Sequence, residues 1–422
     1  MTTIGLAGAG TIGSGLIRLL GTTPATRDWK IKTILVRDLS KVRIGLPALA
    51  KMTNRMEDLT DDPEIDVVVE LLGGVEEAFQ VVSRALKAGK AVVTANKNLL
   101  AERGPELFAL AARHRVALGF EASVCGGIPV IRLIQEALRA DHITSLEGIV
   151  NGTTNYLLTR MSEERASYAD CLADAQRLGF AEPDPDYDVS GKDAVCKAGI
   201  LATLAFGGYV DFRKVPTSGI DSLELEDIRQ AEAMGYRIKL LASARRSPEG
   251  RFDAEVGPVL LPLGHPLASI RMEYNAVLIE SDGLVKTLAS GKGAGAAPTS
   301  ISLLSDLLDI AEGRARVPQL DHPFLGKPFD QGARGTAPSR YYLRLSVPDR
   351  SGILAQVAGL FACHDISIAS VLQPEVPDEA GGSLVPLILT THTTTRARLD
   401  LVLASLASEG WGRSVVLRIQ EN

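Results

Sequence analysis

Close-set cysteines are missing from this sequence. Cys125, Cys171, Cys196 and Cys363 are scattered over 422 residues with no Cys-x-x-Cys pair. That spacing argues against a disulfide framework or a zinc ribbon and suits a reducing cytosol. No apolar run of about 18 residues without charge occurs, so no segment reads as spanning a bilayer. Met1 leads straight into Ile4-Gly5-Leu6-Ala7 with no basic segment ahead of an apolar stretch. A secretory signal is therefore not expected, and a cytoplasmic location is. Basic excess is missing too, since 45 Lys and Arg against 51 Asp and Glu leave a net charge of −6. Neither nucleic acid nor an anionic membrane selects such a balance, so neither is expected as a partner. The six histidines show no ligand spacing and no Gly-x-Ser-x-Gly occurs, which disfavours histidine-ligated zinc and serine-hydrolase chemistry. What remains is 45% apolar and 23% charged, the proportions of a soluble globular chain. Its length calls for two or three domains.

The first third alternates short apolar runs with amphipathic stretches. Residues 4–7, 31–36, 67–72, 91–94 and 116–120 read as buried strands, with helical spacing at Ile12, Leu16, Leu19, Leu20 and at Phe79, Val82, Ala85, Leu86. Such alternation implies βαβ units and a mostly parallel, Rossmann-like α/β sheet. From Ser123 the texture changes. A helix is expected over 129–140, strands over 146–150 and 276–280, a glycine turn over 291–295 and a helix over 299–311, together an α+β domain. Residues 322–340 hold Pro323, Pro328, Pro338, Gly326, Gly332 and Gly335 without periodicity, so they read as a linker or extended strap. The last stretch, 341–422, gives the order β-α-β-β-α-β, a ferredoxin-like unit able to fold alone.

Gly8-Ala9-Gly10-Thr11-Ile12-Gly13 follows the first strand and opens the first helix. Glycines there allow a tight turn and close backbone approach to a pyrophosphate, whose charge the helix N-terminus favours. The second strand runs into Arg37-Asp38, with Lys41 and Arg43 beyond. An acidic residue at this place binds the ribose hydroxyl of NAD and an arginine the 2′-phosphate of NADP. The three cations favour NADP, with NAD as the alternative. Asn96-Lys97 follows the strand ending at Thr94, the edge at which cofactor and substrate meet in an open parallel sheet. Helix starts disfavour cations, so Lys97 reads either as functional or as a plain surface lysine.

Residues 179–188 read Gly-Phe-Ala-Glu-Pro-Asp-Pro-Asp-Tyr-Asp, followed by Ser190-Gly191-Lys192-Asp193-Ala194-Val195-Cys196-Lys197. Pro183 and Pro185 oppose helix, so Glu182, Asp184, Asp186 and Asp188 are expected on an extended loop that could hold a hard cation or an ammonium. Ser190 and Asp193 have capping-box spacing, and Asp193 and Lys197 lie one helical turn apart. That pair reads either as a proton donor with its support or as an exposed ion pair. Glu121, before the turn Ser123-Val124-Cys125-Gly126-Gly127-Ile128-Pro129, could bind a hard ion together with freed carbonyls. Asn151-Gly152-Thr153-Thr154-Asn155 offers either polar ligand contacts or a helix cap.

Four of these segments, in order, resemble homoserine dehydrogenase. They are Thr94-Ala95-Asn96-Lys97, Asn151-Gly152-Thr153-Thr154-Asn155, Leu178-Gly179-Phe180-Ala181-Glu182-Pro183-Asp184-Pro185 and Gly293-Ala294-Gly295-Ala296-Ala297-Pro298-Thr299. Pro348-Asp349-Arg350-Ser351-Gly352-Ile353-Leu354 resembles an ACT domain, the amino-acid-sensing module. The resemblance implies NAD(P)-dependent reduction of L-aspartate 4-semialdehyde to L-homoserine, on the route to threonine, methionine and isoleucine. It implies Lys197 as general acid and base, supported by Asp193, with Lys97 beside nicotinamide and substrate. Glu182 and Asp188 would hold the substrate ammonium, and Gly152 and Thr153 would line its pocket. Cofactor contacts would come from Gly8, Gly10, Thr11, Ile12, Gly13, Arg37, Asp38, Lys97, Gly179 and Gly295. Glu121 with the carbonyls of Val124, Gly126 and Ile128 would form a monovalent-cation site, usually sodium. Expected boundaries are 1–122 with 290–320 for nucleotide binding, 123–289 for substrate binding, catalysis and dimerisation, 321–340 as linker and 341–422 as ACT domain. Threonine or another end product is the expected effector, and a homodimer or homotetramer the expected assembly. Alternatives are a dehydrogenase for a longer semialdehyde or an amine, and a nucleotide sensor without turnover.

Overall fold

The computed structural model describes residues 2–246, 252–330, 338–374, 384–408, 411 and 414–421. Six strands, β1 (Thr3–Ala7), β2 (Lys30–Leu35), β3 (Lys51–Thr53), β4 (Val67–Glu70), β5 (Ala91–Thr94) and β6 (Leu118–Gly119), form a parallel sheet in the order β3-β2-β1-β4-β5-β6. Five of them lie where the apolar runs placed them; three-residue β3 is too short to show a period. Val67, Val68 and Val69 are fully buried, as in a sheet covered on both faces. Helix Ala296–Ala311 returns late in the chain to lie on helix Thr11–Thr22, so close that a Cβ on Gly15 would meet the Ser300 hydroxyl at 2.6 Å. Helix Lys97–His114 continues through Pro105, which cannot donate to the Ala101 carbonyl. The Tyr209 hydroxyl donates to that oxygen instead, at 3.2 Å.

The second sheet takes β7 (Ile143–Ile149), β8 (Tyr236–Arg246), β9 (Phe252–Pro262), β10 (Tyr274–Ser281) and β11 (Val285–Lys292), then β12 (Pro338–Pro348), β13 (Ile368–Leu372), β14 (Leu384–Thr391) and β16 (Val415–Ile419). Its order is β11-β10-β7-β8-β9-β16-β12-β14-β13, with β15 (Thr394–Thr395) paired to β12. The β8–β9 hairpin is not marked in the sequence because β8 shows no sustained alternation and its apolar residues are interrupted by Lys239.

The tail has the expected β-α-β-β-α-β order, with helices Ile353–Cys363 and Arg396–Ser408. It does not stand apart. β16 pairs in parallel with β9, Arg418 opposite Val259 and Ile419 opposite Leu260. Arg344 on β12 is buried against the start of helix Leu225–Ala233, donating to Asp227 at 2.8 and 3.0 Å and to Glu224 at 2.9 Å. Tyr342 donates to the same Asp227 carboxylate at 2.9 Å.

One expectation needs correction and, over 322–330, the strap is the alternative that forms. The helix over 129–140 is only Val130–Arg132 plus a wide π turn over Leu133–Ala137. The Glu121 carboxylate grips the Ile131 and Arg132 N–H groups at 2.9 Å each and anchors that irregular start. Residues 322–330 are a pinned strap. Phe324 stacks on Phe108 with centroids 4.5 Å apart, and Phe329 stacks on Phe252 at 4.9 Å. Gly332 and Gly335 lie outside the described residues, as does most of the loop 374–383. No helix among the described residues is long and apolar enough to cross a membrane.

Candidate active site

Three loops meet at the carboxyl edge of the parallel sheet. After β1 the backbone turns at Gly8, φ 102°, where a Cβ would lie 2.4 Å from the Leu71 carbonyl oxygen. A Cβ on Gly13 would lie 2.4 Å from the Gly8 oxygen, so both positions exclude a side chain. Gly10 caps helix Thr11–Thr22 with no side-chain hydrogen bond, and nothing lies within 4 Å of where its Cβ would be. Gly10 and Thr11 are exposed, so the start of this helix, where an anion is favoured, is open to a pyrophosphate. At the end of β2, Arg37 pairs with Glu77 at 2.9 Å and Asp38 accepts the Ser40 N–H and hydroxyl at 2.8 and 2.6 Å. Arg43 donates to the Asp38 and Lys41 carbonyls, both at 2.9 Å, which folds it back over this turn.

After β5 the chain is locked before it reaches Lys97. Thr94 donates to buried Glu70 at 2.6 Å and accepts the Asn96 N–H at 3.0 Å. Asn96 caps its helix by accepting the Leu99 N–H at 3.0 Å and ties itself to the Gly74 carbonyl at 2.7 Å. Lys97, first residue of that helix, then extends to Asp193 Oδ1 at 3.0 Å. The unfavourable cation at a helix start therefore has a partner from the other sheet's layer. Asp193 Oδ2 receives Lys197 at 2.8 Å and Asn151 Nδ2 at 2.8 Å. Lys197 also donates to the Val150 carbonyl at 2.8 Å. The pair is no exposed i,i+4 decoration: the Asp193 side chain is 4% exposed and that of Lys197 is 12%. Burial works against the charge on Asp193, but Lys197 and Lys97 outweigh it and hold its carboxyl at about 2. Burial likewise opposes the Lys197 ammonium, and the Asp193 charge overcomes it, so its pKa is raised. In the competition left open by the sequence, the Asp193 charge acts toward a protonated lysine.

The capping box at Ser190 does not form. Gly191, φ 86°, takes the cap position; Ser190 closes the preceding one-turn helix Asp186–Val189 by donating to the Asp186 carbonyl at 2.5 Å, and Asp193 turns to its lysines. That short helix also corrects the expectation of a fully extended acidic loop, whose carboxylates part ways. Asp188 turns inward, accepting Asn151 at 2.8 Å and Thr153 at 3.1 Å, and burial raises its pKa. Asp186 pairs with Lys192 at 2.5 Å. Glu182 is exposed, and among the described residues its side chain joins no ion pair with the cluster. Gly152 opens the Gly152–Glu164 helix where a Cβ would meet the Glu273 oxygen at 2.8 Å. Gly179 and Gly295 have φ 79° and 114°, conformations suited to glycine.

Glu121 is 2% exposed, beside Asp306, whose carboxylate accepts the Glu121 N–H at 2.9 Å. Burial and the Asp306 charge push its carboxyl up to about 7 even with Arg132 nearby. Cys125, φ 53°, is a non-glycine residue held left-handed in the adjoining turn. The Gly126 carbonyl accepts Ser302 at 2.5 Å and that of Ile128 accepts the Val130 N–H at 2.7 Å, leaving each oxygen a second lone pair. The donors are hard oxygens with excess negative charge, which fits a hard cation.

Sequence reasoning passed over three supporting residues. Glu70 reads as the polar end of a buried strand. Tyr187, whose ring centroid is 5.5 Å from the Lys97 ammonium and whose hydroxyl donates to Asn98, was noted only as part of the acidic run. Lys239, fully buried on β8, donates to Asn155 at 2.8 Å and to the Ile270 carbonyl at 2.5 Å. A lysine within an apolar strand was the available signal.

A glycine cradle on a Rossmann-like sheet, opening toward a lysine–aspartate–lysine cluster, defines a dinucleotide-dependent oxidoreductase. Comparisons with known proteins narrow this. Residues 8–121 match the homoserine dehydrogenase NAD-binding domain family, 129–308 the homoserine dehydrogenase family and 341–410 the ACT domain family. The homoserine dehydrogenase of Pseudomonas aeruginosa is 40% identical, the alignment covering 99% of this chain and 98% of that one. That of Bacillus subtilis is 38% identical over 96% and 94%. The solved homoserine dehydrogenase of Thiobacillus denitrificans superposes with a TM-score of 0.89 at 37% identity, covering 100% and 98%. The chain belongs to the homoserine dehydrogenase family and carries an ACT domain.

Proposed function

We propose that the chain reduces L-aspartate 4-semialdehyde to L-homoserine with NADPH, Lys197 delivering the proton, on the route to threonine, methionine and isoleucine. The observation that carries this is Asp193 shared between Lys97 and Lys197, at 3.0 and 2.8 Å. When bound, the dinucleotide supplies a hydride to the aldehyde carbon. Lys197, kept protonated by Asp193, gives its proton to the aldehyde oxygen and in the reverse direction takes it back. Lys97 holds the reacting end between the two layers. Asp188 and Glu182 receive the substrate ammonium while Gly152 and Thr153 shape its pocket, which fixes the approach of the carbonyl. Gly8, Gly10, Thr11, Ile12 and Gly13 cradle the pyrophosphate, and Gly179 and Gly295 approach it through their backbones. Arg37, Lys41 and Arg43 around Asp38 support NADP over NAD.

Glu121 with the carbonyls of Val124, Gly126 and Ile128 would hold sodium and brace the turn between the layers. Residues 1–122 with 290–320 serve the nucleotide, 123–289 the substrate and 341–422 regulation through an amino acid such as threonine. The free cysteines favour the reducing cytoplasm. A homodimer or homotetramer is supported by the edge strand β11, where Val285 and Leu288 are exposed. Following NADPH and NADH oxidation with aspartate semialdehyde tests the reading. Turnover with NADPH supports it, and no turnover with either cofactor overturns it.

A further inference from the structure

Of the two lysines on Asp193, Lys97 is the harder to hold still. It starts helix Lys97–His114, where a cation is disfavoured, and its ammonium rides on a flexible four-carbon stem. Asp193 supplies one partner at 3.0 Å, yet the Lys97 side chain is 31% exposed against 4% for Asp193. The second partner is aromatic. The ring centroid of Tyr187 lies 5.5 Å from the Lys97 ammonium, within the range of a cation–π attraction.

Tyr187 is itself fixed at both ends. Its hydroxyl donates to the side-chain oxygen of Asn98, the residue after Lys97. The same hydroxyl lies 3.7 Å from the sulfur of Cys196, the residue before Lys197 on helix Lys192–Phe206. Burial raises the pKa of the Tyr187 phenol, which therefore stays protonated and acts as a donor, not as a base. At its backbone Tyr187 belongs to the one-turn helix Asp186–Val189, from which Asp188 turns inward to Asn151 and Thr153. Lys192 holds Asp186 at 2.5 Å, and the Ile220 N–H donates to the Val189 carbonyl at 2.9 Å. A Cβ on Gly219 would lie 2.2 Å from that same Val189 oxygen, so the turn is closely packed from beneath. A turn this confined fixes where the ring stands.

We propose that Tyr187 is a positioning residue that acts through Lys97: its ring keeps the ammonium on Asp193 Oδ1, and its hydroxyl fastens the start of helix Lys97–His114 to helix Lys192–Phe206. The two layers are then latched beside the reacting groups by an aromatic side chain as well as by the ion pair. A phenylalanine at this place would keep the ring and lose the tie to Asn98, whereas an aliphatic residue would lose both. The inference rests on the role given to Lys97 in the proposed reaction.

The test uses the full-length chain and NADPH oxidation with aspartate semialdehyde, with thermal midpoint and NADPH affinity recorded for every variant. Tyr187→Leu should lower kcat roughly 5- to 30-fold, the worth of a cation–π contact at a partly desolvated site. Tyr187→Phe keeps the ring and should recover most of that loss. Asn98→Ala, which removes the acceptor of the hydroxyl, should match Tyr187→Phe within about twofold. In a Lys97→Met background, Tyr187→Leu should change kcat by less than about twofold, because the group it places is gone. A merely structural role would lower the thermal midpoint and slow kcat by the same factor in either background, and that result overturns the proposal. So does a parent-like kcat in Tyr187→Leu, or a Tyr187→Phe as slow as Tyr187→Leu. A parent-like kcat in Lys97→Met overturns the role given to Lys97 and this proposal with it, and leaves the dehydrogenase reading standing; no turnover by the parent overturns the latter.

Discussion

Lys97 and Asp193 come from the two separate layers of the molecule and meet at 3.0 Å, while Asp193 holds Lys197 on its other oxygen at 2.8 Å. One carboxylate thereby sets the position of both ammonium groups. Asp193→Asn keeps the shape but removes the charge that holds the Lys197 pKa up against burial. Reduction should slow by roughly 10²- to 10⁴-fold, the usual worth of placed proton transfer. The pH at which kcat for reduction falls on the alkaline side should move downward, because the ammonium loses its proton sooner. A pH profile of the variant that keeps the parent's alkaline limb would contradict this.

Cofactor choice turns on the short stretch after β2. Arg37 is paired with Glu77 and exposed, so it can turn toward a 2′-phosphate at the cost of a surface pair worth about 0–1 kcal/mol. Arg37→Ala should lower kcat/KM for NADPH about tenfold or more and leave that for NADH within about twofold. Steady-state kinetics with both cofactors decide it; equal losses with NADH and NADPH would place Arg37 away from the phosphate.

Sodium should stabilise the protein in a pH-dependent way. Burial and the Asp306 charge raise Glu121 from the ordinary 4.5 to about 7. A raised folded-state pKa means its contribution to stability is complete below the unfolded value and is lost as pH rises through about 7. A bound cation replaces the missing proton, so it helps most where Glu121 is ionised. The thermal midpoint in sodium chloride, against choline chloride at equal ionic strength, should rise more at about pH 8 than at about pH 5.5. An equal rise at both pH values would contradict a cation on Glu121.

The fold was largely legible where short apolar runs are bounded by turns and helical spacing, or where glycine is forced. Gly8 and Gly13 announce the cradle because only glycine tolerates their contacts, and the apolar runs of β1, β2, β4 and β5 mark the parallel sheet. β8 and β9 were silent because neither offers a clean apolar run or an alternation carried along its length: buried Lys239 interrupts β8, and Asp253 and Glu255 open β9. The site was legible as residue types and not as partnerships. Nothing within the sequence ties Lys97 to Asp193, which the sheet topology alone brings together. Ser190 and Asp193 had the spacing of a capping box, yet Gly191 took the cap and freed Asp193 for Lys97 and Lys197. The docking of β16 on β9 was hidden for the same reason, since an edge strand shows no preference for its neighbour's origin.

The most direct test is Lys197→Ala, followed by kcat with aspartate semialdehyde and, separately, NADPH affinity by fluorescence titration. The account predicts a kcat reduced by roughly 10²- to 10⁴-fold with NADPH affinity unchanged, because the lysine moves a proton and does not hold the nucleotide. An unaltered kcat would contradict it.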